Sequence, residues 1–106
     1  MIPQGKGEIW MYDDQDSGKK RPCIIIGYQN EIEFDVTISK LTTQAPHNEY
    51  DIFLENWKEI GLIRQSTVRC SKLFTINKNS LLYKVAEINQ HQLNTILMQV
   101  VKYITN

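Results

Sequence analysis

The chain has 106 residues, enough for one compact domain and too few for two separate cores. Apolar residues make up 42% and charged residues 23%, and twelve basic residues cancel twelve acidic ones, so no global field draws nucleic acid and any such contact must come from a local patch. No run approaches a membrane span, Met1-Ile2-Pro3-Gln4 carries no signal core, and two cysteines frame neither a disulfide scaffold nor a zinc site; a cytoplasmic protein with reduced thiols is expected.

Gly7-Glu8-Ile9-Trp10-Met11-Tyr12 predicts a first strand. Asp13 to Gly18 reads as a mobile polar loop, and its three carboxylates lack the continuation of a calcium loop, which makes it a solvated turn. Lys19-Lys20-Arg21-Pro22 then leads into Cys23-Ile24-Ile25-Ile26, four consecutive apolar residues closed by Gly27. Such a run predicts a strand buried on both faces. Pro22 has no N–H for a ladder and is expected at the first position of that strand, where it also biases Arg21 toward an extended backbone. Arg21 becomes a fixed cationic fork at the mouth of a rigid core; the plainer reading of Lys-Lys-Arg is a solvated charge run.

Tyr28 to Glu31 predicts a turn. Phe34, Val36 and Ile38 alternate with Asp35, Thr37 and Ser39, the period of a half-buried strand ending at Lys40-Leu41-Thr42-Thr43. A loop with Pro46 and His47 precedes a second alternating segment, Tyr50 to Leu54. Glu55 to Ile60 reads as a short connection stopped by Gly61, and Gln65–Ser71 and Leu73–Ile76 as two further short strands. Leu93, Ile96, Leu97, Val100, Val101 and Ile104 fall on one face of a helix, with Asn89 as N-cap, Gln92 at N3, and Ile88 and Leu93 as a hydrophobic staple. The whole predicts a mainly β domain over residues 1–106, a small barrel or sandwich with a C-terminal helix.

Gly7-Glu8-Ile9-Trp10, Arg21-Pro22 before isoleucines, Lys40-Leu41-Thr42-Thr43, Gly61-Leu62, and Ser66-Thr67-Val68-Arg69-Cys70 ahead of Phe74-Thr75-Ile76 come in a fixed order. That order resembles the MazF/PemK/Kid toxins of bacterial toxin–antitoxin pairs. The resemblance implies an SH3-like β-barrel of the CcdB/MazF type, a homodimer, metal-free cleavage of single-stranded RNA without a cofactor, and silencing by a small cognate antitoxin, through which alone DNA would be met. By position Arg21 matches the family's catalytic arginine, Thr42 its threonine, and Arg69 a second arginine of the Kid-like branch. Ser71 stands where that branch has an aspartate, and the loop position of its histidine is nearest Gln15. A CcdB-like toxin that binds a topoisomerase and a catalytically decayed homologue are the other readings; Arg21 with Thr42 favours the nuclease.

Metal-free cleavage uses the substrate's 2′-OH against its own phosphate and needs charge stabilisation on the phosphorane. Arginine suits that task, because its fork matches two phosphate oxygens and stays charged. Thr42 can add a neutral hydrogen bond. Lys19, Lys20, Thr43, His47, Arg64, Ser66, Ser71 and Lys72 are the remaining candidates for the RNA path, with surface decoration as the ordinary reading for a loop histidine or an exposed lysine. His91, in the first turn of the helix, is read as structural, and Trp10, Tyr12 and Trp57 as core or dimer contacts; base stacking would need one of them exposed.

Overall fold

Four apolar residues in a row can be satisfied in a strand only if both faces of its sheet are covered, and the computed structural model, which describes residues 5–28 and 34–106, covers both. Six strands, β1 (Glu8–Asp14), β2 (Lys19–Gly27), β3 (Asp35–Thr42), β4 (Asp51–Phe53), β5 (Thr67–Asn77) and β6 (Leu81–Glu87), precede one helix, α1 (Gln90–Thr105). They form an antiparallel sheet in the order β4-β5-β3-β2-β1-β6. The fold is mainly β with a C-terminal helix, as expected. Among the described residues its ladder ends at β4 and β6, so the hydrogen bonding there is open rather than closed around a barrel.

Alternation along β2 divides the core. Ile24 and Ile26 join Ile9, Leu41, Val68, Ala86 and the helix residues Leu93, Ile96 and Val100 on one face. Cys23 and Ile25 join Trp10, Tyr12, Val36, Ile38 and Leu81 on the other. Cys23, Ile24 and Ile25 have no exposed surface. The two cysteines are free and buried, one in each cluster, and burial pushes both thiols up to about 12.

Several expectations need correction. The Asp13–Gly18 loop is shorter than expected: β1 runs on to Asp14 and β2 starts at Lys19, so Pro22 is the fourth residue of its strand, opposite Met11. The proline is tolerated because pairing with β3 begins only at Cys23, which leaves Lys19–Pro22 an edge on that side. The two segments at 65–76 are halves of one strand, β5. Its register against β3 jumps from Lys40–Arg69 to Ser39–Leu73, and the extra residues Cys70, Ser71 and Lys72 exchange its faces: Val68 and Cys70 belong to the helix-side core, whereas Ile76 packs against the opposite one. Strand β6 was not anticipated, because Leu81 and Ala86, its buried residues, do not share a simple alternation. Register shifts against β1 break the period. Phe34 is 73% exposed and lies outside β3, while Ser39, expected on the polar side, is buried and donates its hydroxyl to the Arg69 carbonyl at 2.6 Å. The turn at Tyr28–Glu31 falls, after Tyr28, outside the described residues.

The helix start is as read. Asn89 accepts from the Gln92 amide at 2.8 Å and the Gln92 side chain accepts from the Asn89 amide at 3.2 Å, a reciprocal capping box. Only the first half of the apolar stripe is covered: Leu93, Ile96 and Val100 are buried, whereas Val101 and Ile104 are exposed. No helix among the described residues is long and apolar enough to cross a membrane.

Gly27 closes β2 for a steric reason. A bulge after Ile25 sets it opposite Thr37, where a Cβ on Gly27 would lie 2.9 Å from the Thr37 Cβ. Gly27→Ala should therefore cost ~1–3 kcal/mol as an overpacked contact. Urea unfolding would show the lowered midpoint, and an unchanged midpoint would mean the bulge absorbs the methyl group.

Candidate functional site

The β1–β2 hairpin carries the first part of the site. Trp10, Tyr12 and Asp14 lie on one face of β1, and the first two are buried in the core, which removes them as stacking platforms. Asp14 continues the same period and is buried too. The expected solvated turn is thus solvated only at Asp13, Gln15, Asp16, Ser17 and Gly18. Asp14 Oδ1 accepts from the Asp16 amide at 3.2 Å and Oδ2 from the Ser17 hydroxyl at 3.1 Å, so the carboxylate ties the turn shut. Gly18, at φ +70°, takes the left-handed conformation that this closure demands.

Arg21 leaves β2 on that face. Its Nε donates to Ser17 Oγ at 3.1 Å and stands 3.6 Å from Asp14 Oδ2. Both contacts use the inner nitrogen, so the outer fork faces solvent and the side chain is 47% exposed. Thr42 sits at the same level on β3, two residues outward from the Cys23–Lys40 pair on each strand. The Thr42 hydroxyl accepts from the Gln44 amide at 3.2 Å, which leaves its own proton to donate. Across the next ladder Thr42 faces Thr67, whose buried hydroxyl has no hydrogen-bond partner.

Arg69 belongs to the same face, paired with Lys40 on one side and Asp51 on the other. Its Nε lies 3.6 Å from Asp51 Oδ1, a carboxylate with no exposed side-chain surface. The other Asp51 oxygen accepts from the His47 amide at 2.9 Å, which anchors the His47 loop beside Arg69. The His47 ring itself is exposed, with Nε2 2.6 Å from Gln44 Oε1. Neither Lys40 nor the two buried carboxylates stood out in the sequence. The period that carries Trp10 and Tyr12 inward also carries Asp14 inward, and Lys40 is two residues from Thr42; alternation alone points to both.

The remaining candidates are dispersed. Lys19 and Lys20 are exposed on the hairpin, opposite Asp14 and Asp13. Ser71 and Lys72 occupy the break in β5, and Thr43 and Arg64 are exposed on the loops. Ser66 is buried and donates to the Arg64 carbonyl at 3.1 Å. His91 is exposed on the first turn of α1, and Trp57 is partly buried against the core. Among the described residues no three His, Cys, Asp or Glu side chains gather as a metal site.

Burial alone would raise the Asp14 carboxyl, but the Ser17 hydroxyl, the Lys40 ammonium and the Asp16 amide outweigh it and hold the group below its ordinary value. The Tyr12 phenol beside it is pushed up to about 12, first by burial and then by the Asp14 charge.

A sequence model of PemK-like, MazF-like toxins of type II toxin–antitoxin systems matches residues 5–104. In overall shape the chain is similar to a mycobacterial endoribonuclease solved in complex with its cognate antitoxin, with a TM-score of 0.80, 17% identity, and 97% of this chain and 96% of that one covered. It is also similar to the Mycobacterium tuberculosis toxin MazF-mt6, with a TM-score of 0.76, 19% identity, and coverage of 92% and 96%. The MazF-type fold of the Deinococcus radiodurans MazE–MazF complex gives a TM-score of 0.77, 14% identity, and coverage of 98% and 96%. No curated protein matches the chain in sequence.

A carboxylate whose folded-state value is depressed stabilises the fold above its unfolded value and loses that contribution as pH falls through the folded one. Asp14 is such a group, facing Lys40 from β3, Arg21 from β2 and Ser17 within the turn. The melting temperature of the parent should therefore fall more steeply between about pH 5 and pH 2 than that of Asp14→Asn. Parallel curves would show that Asp14 contributes no charge-dependent stability.

Proposed function

The chain belongs to the family of PemK-like, MazF-like toxins of type II toxin–antitoxin systems, and we propose that within it this protein is a metal-independent endoribonuclease acting on single-stranded RNA. The observation that carries the reading is Arg21: a guanidinium held through its inner nitrogen on a rigid hairpin, with its outer fork exposed at the level of Thr42. In the reaction the substrate 2′-oxygen forms a bond to the adjacent phosphorus and the P–O5′ bond breaks, giving a 2′,3′-cyclic phosphate; the 2′-OH proton passes to water and the leaving 5′-oxygen takes one from water. Arg21 holds two phosphate oxygens as charge accumulates on them, and Thr42 donates a further hydrogen bond. Because Nε is already fixed, little side-chain entropy remains to be lost when phosphate arrives. Arg69 extends the cationic face toward β4, and Lys19, Lys20 and the His47 loop flank the strand's path.

The same reading includes protein partners. An apolar groove of about 480 Å3 lined by Met11, Pro22, Leu62, Ile63, Tyr83 and Val85 opens beside the site, with Ile63 93% and Tyr83 50% exposed. It suits the apolar side of an amphipathic antitoxin segment. The uncovered helix residues Met98, Val101 and Ile104 suit a second copy of the chain. The surroundings fit a bacterial cytoplasm, where both RNA and a labile antitoxin are met.

Arg21→Ala should slow cleavage of a single-stranded RNA about a hundredfold, the usual cost of one lost oxyanion donor. Arg21→Lys should recover little, and Thr42→Ala should lose about tenfold to a hundredfold. Chelator should leave the parent rate intact, and melting temperature should hold in the Arg21 variants because the side chain lies outside the core. An Arg21→Ala protein that is folded and cuts at the parent rate would remove the nuclease reading in favour of a binding toxin. Light scattering should return a dimer at micromolar concentration; a monomer would remove the second copy from the helix.

A further inference from the structure

Resting on the nuclease reading, we propose that Lys40 is a second phosphate-binding cation of the cleavage site and that Asp14 is the positioning residue that sets Lys40 and Arg21 as a pair. A lysine kept for solubility swings free in water on a long stem. Lys40 does not. Its side chain is 26% exposed, its Nζ stands 3.5 Å from Asp14 Oδ2, and it lies 4.4 Å from the centroid of the Phe74 ring. It therefore has an anionic contact on one side and an aromatic face on another, which together fix where the ammonium sits.

The decisive feature is a single oxygen. Asp14 Oδ2 serves both cations, 3.6 Å from Arg21 Nε and 3.5 Å from Lys40 Nζ, and also accepts from Ser17. Sharing one atom keeps the two nitrogens within ~7 Å of each other. The shared oxygen engages only Nε of Arg21 and one side of the Lys40 ammonium, so the Arg21 fork and the other Lys40 N–H groups are left to meet an anion between them. A phosphate placed between the Arg21 fork and the Lys40 ammonium has opposite oxygens taken by the two side chains. Thr42, two residues from Lys40 on the same face of β3, then stands beside that phosphate. Beside Lys40 a cavity of about 280 Å3 is lined by Tyr12, Phe74 and Ser80 and by the carboxylates of Asp13, Asp14 and Asp16, which makes it room for the uncharged base of a nucleotide and not for a second phosphate.

Two measurements test the pair. The first is binding of a single-stranded 2′-deoxy oligonucleotide, which has no internal nucleophile, across a salt series. Lys40→Ala should lower the slope of log affinity against log salt by about 0.7, one phosphate contact on a single strand. The second is single-turnover cleavage of a long single-stranded transcript of mixed sequence. Lys40→Ala should reduce the maximal rate about tenfold to a hundredfold, and Lys40→Arg should restore part of it. Asp14→Asn should lower the maximal rate about tenfold while the half-saturating protein concentration stays level or falls, because a negative charge has left the path of the RNA. A purely structural Asp14 would reduce the folded fraction and leave the rate per folded molecule unchanged, and that result overturns its positioning role.

Arg21→Ala in the same assays separates the two levels of the argument. If it slows cleavage while Lys40→Ala changes neither slope nor rate, the nuclease reading stands and the second cation is wrong. If Arg21→Ala is also without effect, the site itself is wrong and the pair falls with it.

Discussion

A strand buried on both faces cannot slip. Moving β2 by one residue would exchange its two faces, sending Ile24 and Ile26 into the Trp10 cluster and Cys23 and Ile25 toward the helix, with both cores repacked at once. Residues 23–26 therefore fix the register of the sheet on both sides, against β1 and against β3. Arg21, Thr42 and Asp14 lie just outward of this locked segment. Arg21 is two residues from Cys23, Thr42 two from Lys40, and Asp14 two beyond the buried Tyr12. Their positions are consequences of core packing, and the polar side chains need only turn toward one another.

The site's cations are not held by solvent. Arg21 and Lys40 meet Asp14, and Arg69 meets Asp51; both carboxylates are buried and both also bond to backbone amides of an adjoining loop. Each acid thus joins a loop to a strand and a strand to a basic side chain. Exposed pairs of this kind contribute little to stability, but a buried carboxylate with amide donors has few alternative positions. What these pairs give is direction. Arg21, Lys40 and Arg69 are thereby held on one face where the hairpin, β3 and β5 come together, with Asp14 and Asp51 buried beneath them.

How much of this the sequence shows depends on the range of the signal. The two-sided strand, the capping box at Asn89 and the order of the family marks are local patterns, and they are found where they were read. The break in β5 is different. Cys70, Ser71 and Lys72 have no feature that marks an insertion, because the inserted residues become extra only relative to β3. Strand β6 is hidden for the same reason, its period interrupted by shifts against β1. Asp14 lies in a polar stretch and looks solvated, Asp51 falls on the polar side of an alternating segment, and the burial of each goes with a cation from another strand, Lys40 and Arg69. Pro22 sits deeper in its strand than the sequence predicts, because the rule against proline in a ladder applies to paired sides, and which side of β2 is paired at that point is a tertiary fact.

Neighbouring residues on a strand point to opposite faces, and this geometry brings the two kinds of recognition together. Arg21 faces the cationic site, and Pro22, the next residue, lines the apolar groove with Met11 and Tyr83. Thr42 and Thr43 repeat the division one strand away, the first at the level of Arg21 and the second in the groove wall. A peptide bound through apolar contacts in that groove would therefore pass within one residue of the face that carries Arg21 and Thr42. It needs only an acidic side chain at its margin to reach the same cations. The hairpin and the end of β3 carry both surfaces because a pleated strand has two sides, so the proposed cleavage site and the groove proposed for a peptide need no separate domain.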